Sequence, residues 1–444
     1  MMHCIIPAKE QALKTDRTNR LRYLFLLACG LWAMVSGVFA QLPDKLPPTP
    51  DYLGEIRRGA DGKLVSLPDS GQVKSQASGA SLLPATMRVG PAEKVTTLTE
   101  AARLAKDGEV IEVLPGNYRG QPAVWTQHRL LIRGLGERPV MIADGKSAEG
   151  KAIWVVRGGD VTIENVEFRG ARVANFNGAG IRFEKGNLVI QGCRFIDNEM
   201  GILAVNSEDL RLEVRDSEFA DAPRDARDWH HLIYVGKIAR FVLRGSYFHG
   251  GYLGHLVKSR ARESHILYNM LVDGDGGKAS YELEFPNGGL AFVIGNVIGQ
   301  SAGTDNPIVV SYGAEAPNWR ENSLYMIHNT LLNDRFGGSF LTVHADRFPG
   351  GVNVWQINNL TVGSGTFYPP SQGRFEGNRS ALRSDLIESG GVPVRLSNQS
   401  PLRGAVRPPG SINGVELLPT DEFHFPVGTR TLRLGSSLSP GAFQ

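Results

Sequence analysis

Apolar and polar residues alternate in short runs that recur down the middle of the chain. The runs read VTIENVEF (Val161–Phe168), LVIQGCRF (Leu188–Phe195), LEVRDSEF (Leu212–Phe219), FVLRGSYF (Phe241–Phe248), HILYNMLV (His265–Val272), FVIGNVIG (Phe292–Gly299) and YMIHNTLL (Tyr325–Leu332). A period of two marks a strand with one buried face. Each run turns at Asn165, Gly192, Asp216, Gly245, Asn269, Asn296 or Asn329 and resumes with another apolar pair. Recurrence at about 24 to 33 residues is the spacing of solenoid repeats. A unit this small cannot bury its apolar face alone, so it must stack on its neighbours. The pattern predicts an all-β protein built as a coil of parallel strands.

Aligning the runs predicts two ladders. Phe168, Phe195, Phe219 and Phe248 share one position and should stack as a core column. Asn269, Asn296, Asn329 and Asn358 fall at the corner, where asparagine tolerates left-handed backbone and can bond the coils above and below. Cys193 aligns with Val166, Ser217, Ser246, Met270, Val297 and Thr330, an inward position, and reads as a buried, inert thiol.

The ends carry different signals. Residues 97–106 show a capping Thr97, Glu100 three residues later and apolar residues at helical spacing. A short helix there would cap the open end of the solenoid. Coils are expected from about Val124 to about Val362, with a Pro-rich tail forming an irregular cap at the other end. Residues 41–85 are rich in Pro, Ser and Gly and read as a flexible lead-in to a domain over 86–444. Residues 1–40 read as a signal peptide: Arg17, Arg20 and Arg22 precede the apolar run Leu24–Phe39, with cleavage after Ala40. Leu26–Cys29 offers a lipoprotein alternative through Cys29.

The leader alters the charge balance. It holds five basic and two acidic residues, so its removal leaves as many acidic as basic side chains. A neutral mature chain gives no reason to expect nucleic acid or stable membrane insertion. Cys193 is left without an intrachain partner. The expectation is a secreted or periplasmic monomer.

The alternating strand, Asn/Gly corner and apolar ending resemble the right-handed parallel β-helix of the pectin-lyase-like superfamily, as do the opening AKDGEVIEVLPGNYRG and the terminal SPGAFQ. The resemblance runs from about Arg88 to the C-terminus. It implies a lateral groove for an extended, usually acidic polysaccharide, on a fold shared by lyases, hydrolases, epimerases and noncatalytic proteins.

Each coil also carries a further strand: GIRFE (Gly180–Glu184), GILAV (Gly201–Val205), HLIYV (His231–Val235), GHLVKSR (Gly254–Arg260), SYELE (Ser280–Glu284) and PIVVSYG (Pro307–Gly313). With Val257 and Leu283 inward, alternation sends Lys258, Arg260, Glu282 and Glu284 outward, near His231. His255 falls on the inward side, readable either as a core histidine or as a substrate contact. Asn287, Tyr312 and Glu315 follow in adjoining turns, and His230 and Trp229 precede the third of these strands; these complete the candidate binding set. Lys258 beside Glu284 also reads as a plain surface ion pair.

The string HLVKSRARESHILYN (His255–Asn269) resembles the Lys-bearing coil of the alginate/dermatan-sulfate lyase group, which implies Lys258 as the base of a β-elimination. Arg260, or a bound Ca²⁺ held by Glu282 and Glu284, would then neutralise the substrate carboxylate. The family's catalytic Arg in the following coil is replaced here by Glu282, Glu284 and Pro286. Alternatives remain: a hydrolase using Glu282 and Glu284, about 7 Å apart on one strand, a C5-epimerase, or a noncatalytic glycan-binding envelope protein. His230, His231 and His249 lack the spacing of a zinc site. Asp273–Gly277 reads as a turn.

Overall fold

A computed structural model of the chain describes residues 83–444, apart from 226, 227, 305, 368, 390, 413 and 433–436, together with the backbone of Ile56–Arg58 and Leu64–Ser66. The chain divides into 1–52 and 53–444, and the first unit, with the leader, lies outside the described residues. Within the stretch expected to be a flexible lead-in, Ile56–Arg58 and Leu64–Ser66 form an antiparallel pair. The intervening Asp61-Gly62 is a hairpin signal that the surrounding Pro/Ser/Gly composition hides.

The remainder is a right-handed parallel β-solenoid of about 10 turns. Three parallel sheets of 12, 11 and 9 strands run its length. In the coil that starts at Asp160, the chain passes through Asp160–Glu164 in the first sheet, Glu167–Arg169 in the second and Ala179–Phe183 in the third. It then enters the first sheet again at Asn187–Gln191. Coils begin earlier than the repeat suggests, at Met87–Val89, and the second sheet ends at Arg379–Ala381.

The helix Leu98–Leu104 caps the first coil. The Thr97 side chain accepts from the Glu100 amide, and Leu98, Ala101 and Ala102 join the core. Gln127 Nε2 donates to the carbonyls of Ala102 and Ala105, satisfying the helix end. The phenylalanine column forms as expected. Successive ring centroids of Phe168, Phe195, Phe219 and Phe248 lie 5.1, 4.5 and 4.4 Å apart and nearly parallel.

The asparagine ladder also forms, but one residue out of the expected frame. Its members are Asn269, Asn296, Asn329, Asn359 and Asn378. The left-handed corner belongs to the residue before each of them: Tyr268, Gly295, His328, Asn358 and Gly377. From Asn296 on, each ladder Oδ1 accepts the backbone N–H of the previous coil's asparagine at 2.9–3.0 Å, and Asn269 Oδ1 accepts that of Ser246. Each Nδ2 donates back to a first-sheet carbonyl, as Asn329 does to Val293. Ser217 and Ser246 continue the ladder upstream to the Cys193 amide. Asn358 instead bonds Arg407 O and contacts His328 Nε2. Cys193 is buried as expected, and burial pushes its thiol up to about 12.

The frame slips because alternation fails in the later coils. Phe241 pairs with Ser264, not with His265. His265, Phe292, Tyr325 and Trp355 form an outward aromatic column, and Val415 and Leu417 of the tail cover part of that face. A sheet buried on both faces reads as continuously apolar, and its register is then invisible in the sequence.

The tail is therefore not an end cap. It runs back along the flank, where Thr420 Oγ1 meets the Tyr268 hydroxyl, the Gly428 amide donates to Gly245 O and the Ala442 amide donates to Thr330 Oγ1. It packs on the first two sheets, with Phe423 and Phe443 among their apolar side chains.

Asn329→Ala is expected to cost about 3 kcal/mol in chemical denaturation. It strands the buried Asn296 amide and removes the side-chain donors to the Val293 carbonyl and to Asn359 Oδ1, which keeps only the residue 329 amide.

Candidate functional site

The third sheet carries the charged residues that the sequence singles out. Its registers place Val155, Arg182, Leu203, Tyr234, Lys258, Glu284, Ser311 and Thr342 in one column. On its other side Ile233, Val257, Leu283 and Val310 join the core. Apart from Arg182, the column is apolar upstream, and it is polar from Tyr234 onward.

Around Lys258 the polar groups converge. Lys258 Nζ lies 3.1 Å from Glu284 Oε2 and 3.7 Å from Glu315 Oε1, with 12% of its side chain exposed. His255 Nε2 is 2.9 Å from the same Glu284 oxygen. Both approaches to Glu284 are at ion-pair distance but off the hydrogen-bond axis. Arg260 Nε donates to the Tyr234 hydroxyl at 2.7 Å, and the guanidinium grips Glu315 through both terminal nitrogens. It also donates to Asn287 Oδ1. Asn287 Nδ2 in turn holds the Ala316 carbonyl, anchoring the loop that carries Glu315. Lys258 and Arg260 both lie over the Tyr234 ring, at 5.9 and 5.6 Å.

Burial alone would raise the Glu284 carboxyl, but His255 and Lys258 outweigh it and bring it to about 2. Burial pushes the His255 imidazole down, with Lys258 and Arg260, against the opposite pull of Glu284. A neutral His255 leaves Lys258 as the standing counter-charge of Glu284. His231 is pressed down further, first by burial and then by His255, Lys258, Arg260 and His230. Its Nδ1 accepts the His255 amide at 2.9 Å, so a neutral ring carries its proton on Nε2. Burial would raise Glu315 as well, and Arg260 and Lys258 overcome it.

Thus Lys258, Arg260, His231, His255, Glu284, Asn287 and Glu315 come together. Four expected residues do not join them. His230 is buried with Nε2 turned to Asp225 at 3.1 Å. Trp229 is 63% exposed on the preceding loop. Tyr312 lies in the inward register, fully buried, its hydroxyl donating to Gly289 O. Glu282, expected outward, is fully buried and neither carboxyl oxygen has a hydrogen-bond partner.

The error at Glu282 has a local cause. Each coil bends into the third sheet through two consecutive core residues: Leu232–Ile233, Leu256–Val257, Glu282–Leu283 and Val309–Val310. Alternation does not extend back through that bend. Glu282 occupies a position that neighbouring coils fill with leucine or valine, and His255 escapes to the groove side for the same reason. A hydrolytic Glu282–Glu284 pair is therefore excluded, and the two cannot share a Ca²⁺. Among the described residues, no three His, Cys, Asp or Glu side chains form a metal-binding group. His249 is on the second sheet, 3.2 Å from Glu218. Asp273 accepts the Gly251 and Ala279 amides, closing the expected turn.

Tyr234 is the residue that the sequence reading missed. It sits beside Lys258 on the next strand, and superposing HLIYV on HLVKS would have revealed that register. His344 follows the last strand of the third sheet, with Nε2 buried and without a hydrogen-bond partner.

No protein-family profile matches the chain, and none of the curated proteins matches it. Several solved structures show similarity, among them three of enzymes. An alginate lyase from Paenibacillus sp. shares 14% identity over 67% of this chain and 100% of its own, with a TM-score of 0.45. The pectate lyase Pel9A shares 14% over 82% and 97%, at 0.49. The pectin methylesterase from Aspergillus niger shares 13% over 67% and 90%, at 0.36. All three are parallel β-helix proteins, the architecture that the repeat predicts.

Burial pushes Glu282 well above the usual carboxyl range, and Asp273 adds to it. The folded state then holds a proton that the unfolded chain has released, so this group's contribution is full below about pH 4.5 and is lost as pH rises. Glu282→Leu is expected to stabilise the protein near neutral pH by about 1–3 kcal/mol. It should also flatten the fall in stability above pH 4.5, as read by denaturant titration across pH.

Proposed function

We propose that this protein acts on an acidic, uronate-containing polysaccharide lying along the third sheet, and cleaves it by β-elimination. The observation that carries the reading is Tyr234 beside Lys258 in one register, with Arg260 on the tyrosine hydroxyl.

Glu315 suggests how substrate enters. It is a carboxylate on a loop, its side chain 45% exposed, gripped by Arg260 and near Lys258. A uronate carboxylate presents the same two oxygens and can replace it on the guanidinium, with Asn287 alongside. Withdrawal of charge into Arg260 favours loss of the proton alpha to the carboxylate.

The elimination needs two proton transfers. The C5 proton leaves to a base, its electron pair forms the C4–C5 double bond, the C4–O bond breaks, and the departing oxygen takes a proton. Lys258, held 3.1 Å from the Glu284 carboxylate, serves as proton donor to the departing oxygen. Tyr234, whose oxygen accepts from Arg260 Nε, takes the C5 proton on that oxygen once its own proton has left to solvent, with Arg260 holding the charge. This reverses the role that the lyase resemblance implies for Lys258. With residues 1–40 acting as a signal peptide, the activity would lie in the periplasm or outside the cell.

Mature protein should raise the absorbance of unsaturated uronate together with reducing ends on alginate or polygalacturonate, assayed with added calcium and with chelator. Tyr234→Phe and Lys258→Ala are each expected to lower the rate at least about 10²-fold. Reducing ends without absorbance would sink elimination in favour of hydrolysis. Binding with neither signal would support a noncatalytic glycan-binding role, consistent with Lys258 and Arg260 already having carboxylate partners.

A further inference from the structure

Upstream of Tyr234 the same column changes character. Val124, Val155, Leu203, Met200, Ala152 and Ala179 form an apolar patch on the third sheet with Tyr234 at its edge. Arg182 stands in this column between Val155 and Leu203. Two strand spacings, about 10 Å, separate it from Tyr234.

The guanidinium is under-compensated. Its Nε is buried and has no hydrogen-bond partner, and 24% of the side chain remains exposed. Its nearest carboxylate is Glu184, at 3.7 Å. Glu184 is already committed to Lys151 at 2.9 Å and to Arg157 at 2.6 Å, and Glu149 is bound by the same two cations. Three cations thus share two carboxylates, and Arg182 has the weakest hold on either. Burial pushes its guanidinium below the usual arginine range, and Glu184 restores only part of that. A partly exposed cation with so weak a hold on its only near carboxylate suits a ligand that brings a carboxylate of its own.

We propose that Arg182 and its apolar surround form a second subsite, which binds the carboxylate of another uronate unit of the same glycan chain. This rests on the third sheet being the glycan-binding face. The uronate carboxylate meets the exposed part of the Arg182 side chain, in register between the buried Val155 and Leu203. The subsite makes the protein selective for chains long enough to reach both Arg182 and Arg260.

The test is calorimetric binding and steady-state kinetics with alginate and polygalacturonate oligomers of graded length, and with the same chains after carboxyl reduction. Wild type, Arg182→Gln and Arg182→Lys are compared, each first checked for wild-type thermal unfolding. The expected result is at least about tenfold weaker binding of long acidic chains by Arg182→Gln. KM should rise while kcat holds, Arg182→Lys should recover part of the loss, and the preference for longer chains should disappear. Binding by Arg182→Gln equal to wild type overturns the subsite and leaves the groove reading standing. An equal loss on carboxyl-reduced chains assigns the effect to packing and also overturns it. Failure of wild type to bind any acidic chain overturns both readings. If Arg182→Gln does not fold, Arg182→Lys carries the comparison, and unchanged affinity and length preference in that variant count against the bidentate contact.

Discussion

From Cys193 onward, each coil turns a corner between its first and second sheets at a buried amide whose acceptor is not on its own coil. The acceptor comes from the next coil, as a serine hydroxyl upstream and an asparagine Oδ1 from Asn269 onward. An unpaired buried amide is costly, so the coils cannot slide against one another without stranding several at once. That constraint sets the vertical register of the coils from Cys193 to Asn378. The column from Val155 to Thr342, and the site within it, inherit their alignment from a ladder on the opposite side of the coil.

The architecture was legible because its signal is repetitive: the strand period, the turn residue and the phenylalanine column each recur and reinforce one another. Frame was harder to read. At His265 and beyond, both faces of the first sheet are apolar, so periodicity no longer says which face is inside. The site was legible in part for a related reason. Lys258, Arg260 and Glu284 follow the alternation of a regular strand, whereas Glu282 and His255 lie in the bend before it, where two consecutive residues turn inward. Tyr234 went unread because an aromatic residue between Ile233 and Val235 looks like part of an apolar run.

The site's electrostatics are those of a closed circuit. Glu284 and Glu315 sit among Lys258, Arg260 and two histidines whose burial keeps them uncharged. Such an arrangement is stable without substrate, yet Glu315 is exposed enough to be exchanged for another carboxylate. Glu282 belongs to a different economy. It is a single carboxyl in an aliphatic column, and its proton is what allows it to remain there.

The tail has a consequence for how the molecule comes together. Tyr268 meets Thr420 across 152 residues of chain, and Arg244 meets Thr429 across 185. Stacking one coil on the next is a local event that can proceed as the chain is delivered. Closing the flank is not, because the aromatic strip over His265, Phe292 and Tyr325 stays bare until the final segment has emerged. During that interval the half-built protein presents an adhesive stripe to its surroundings, and the last stretch of polypeptide acts as its own chaperone.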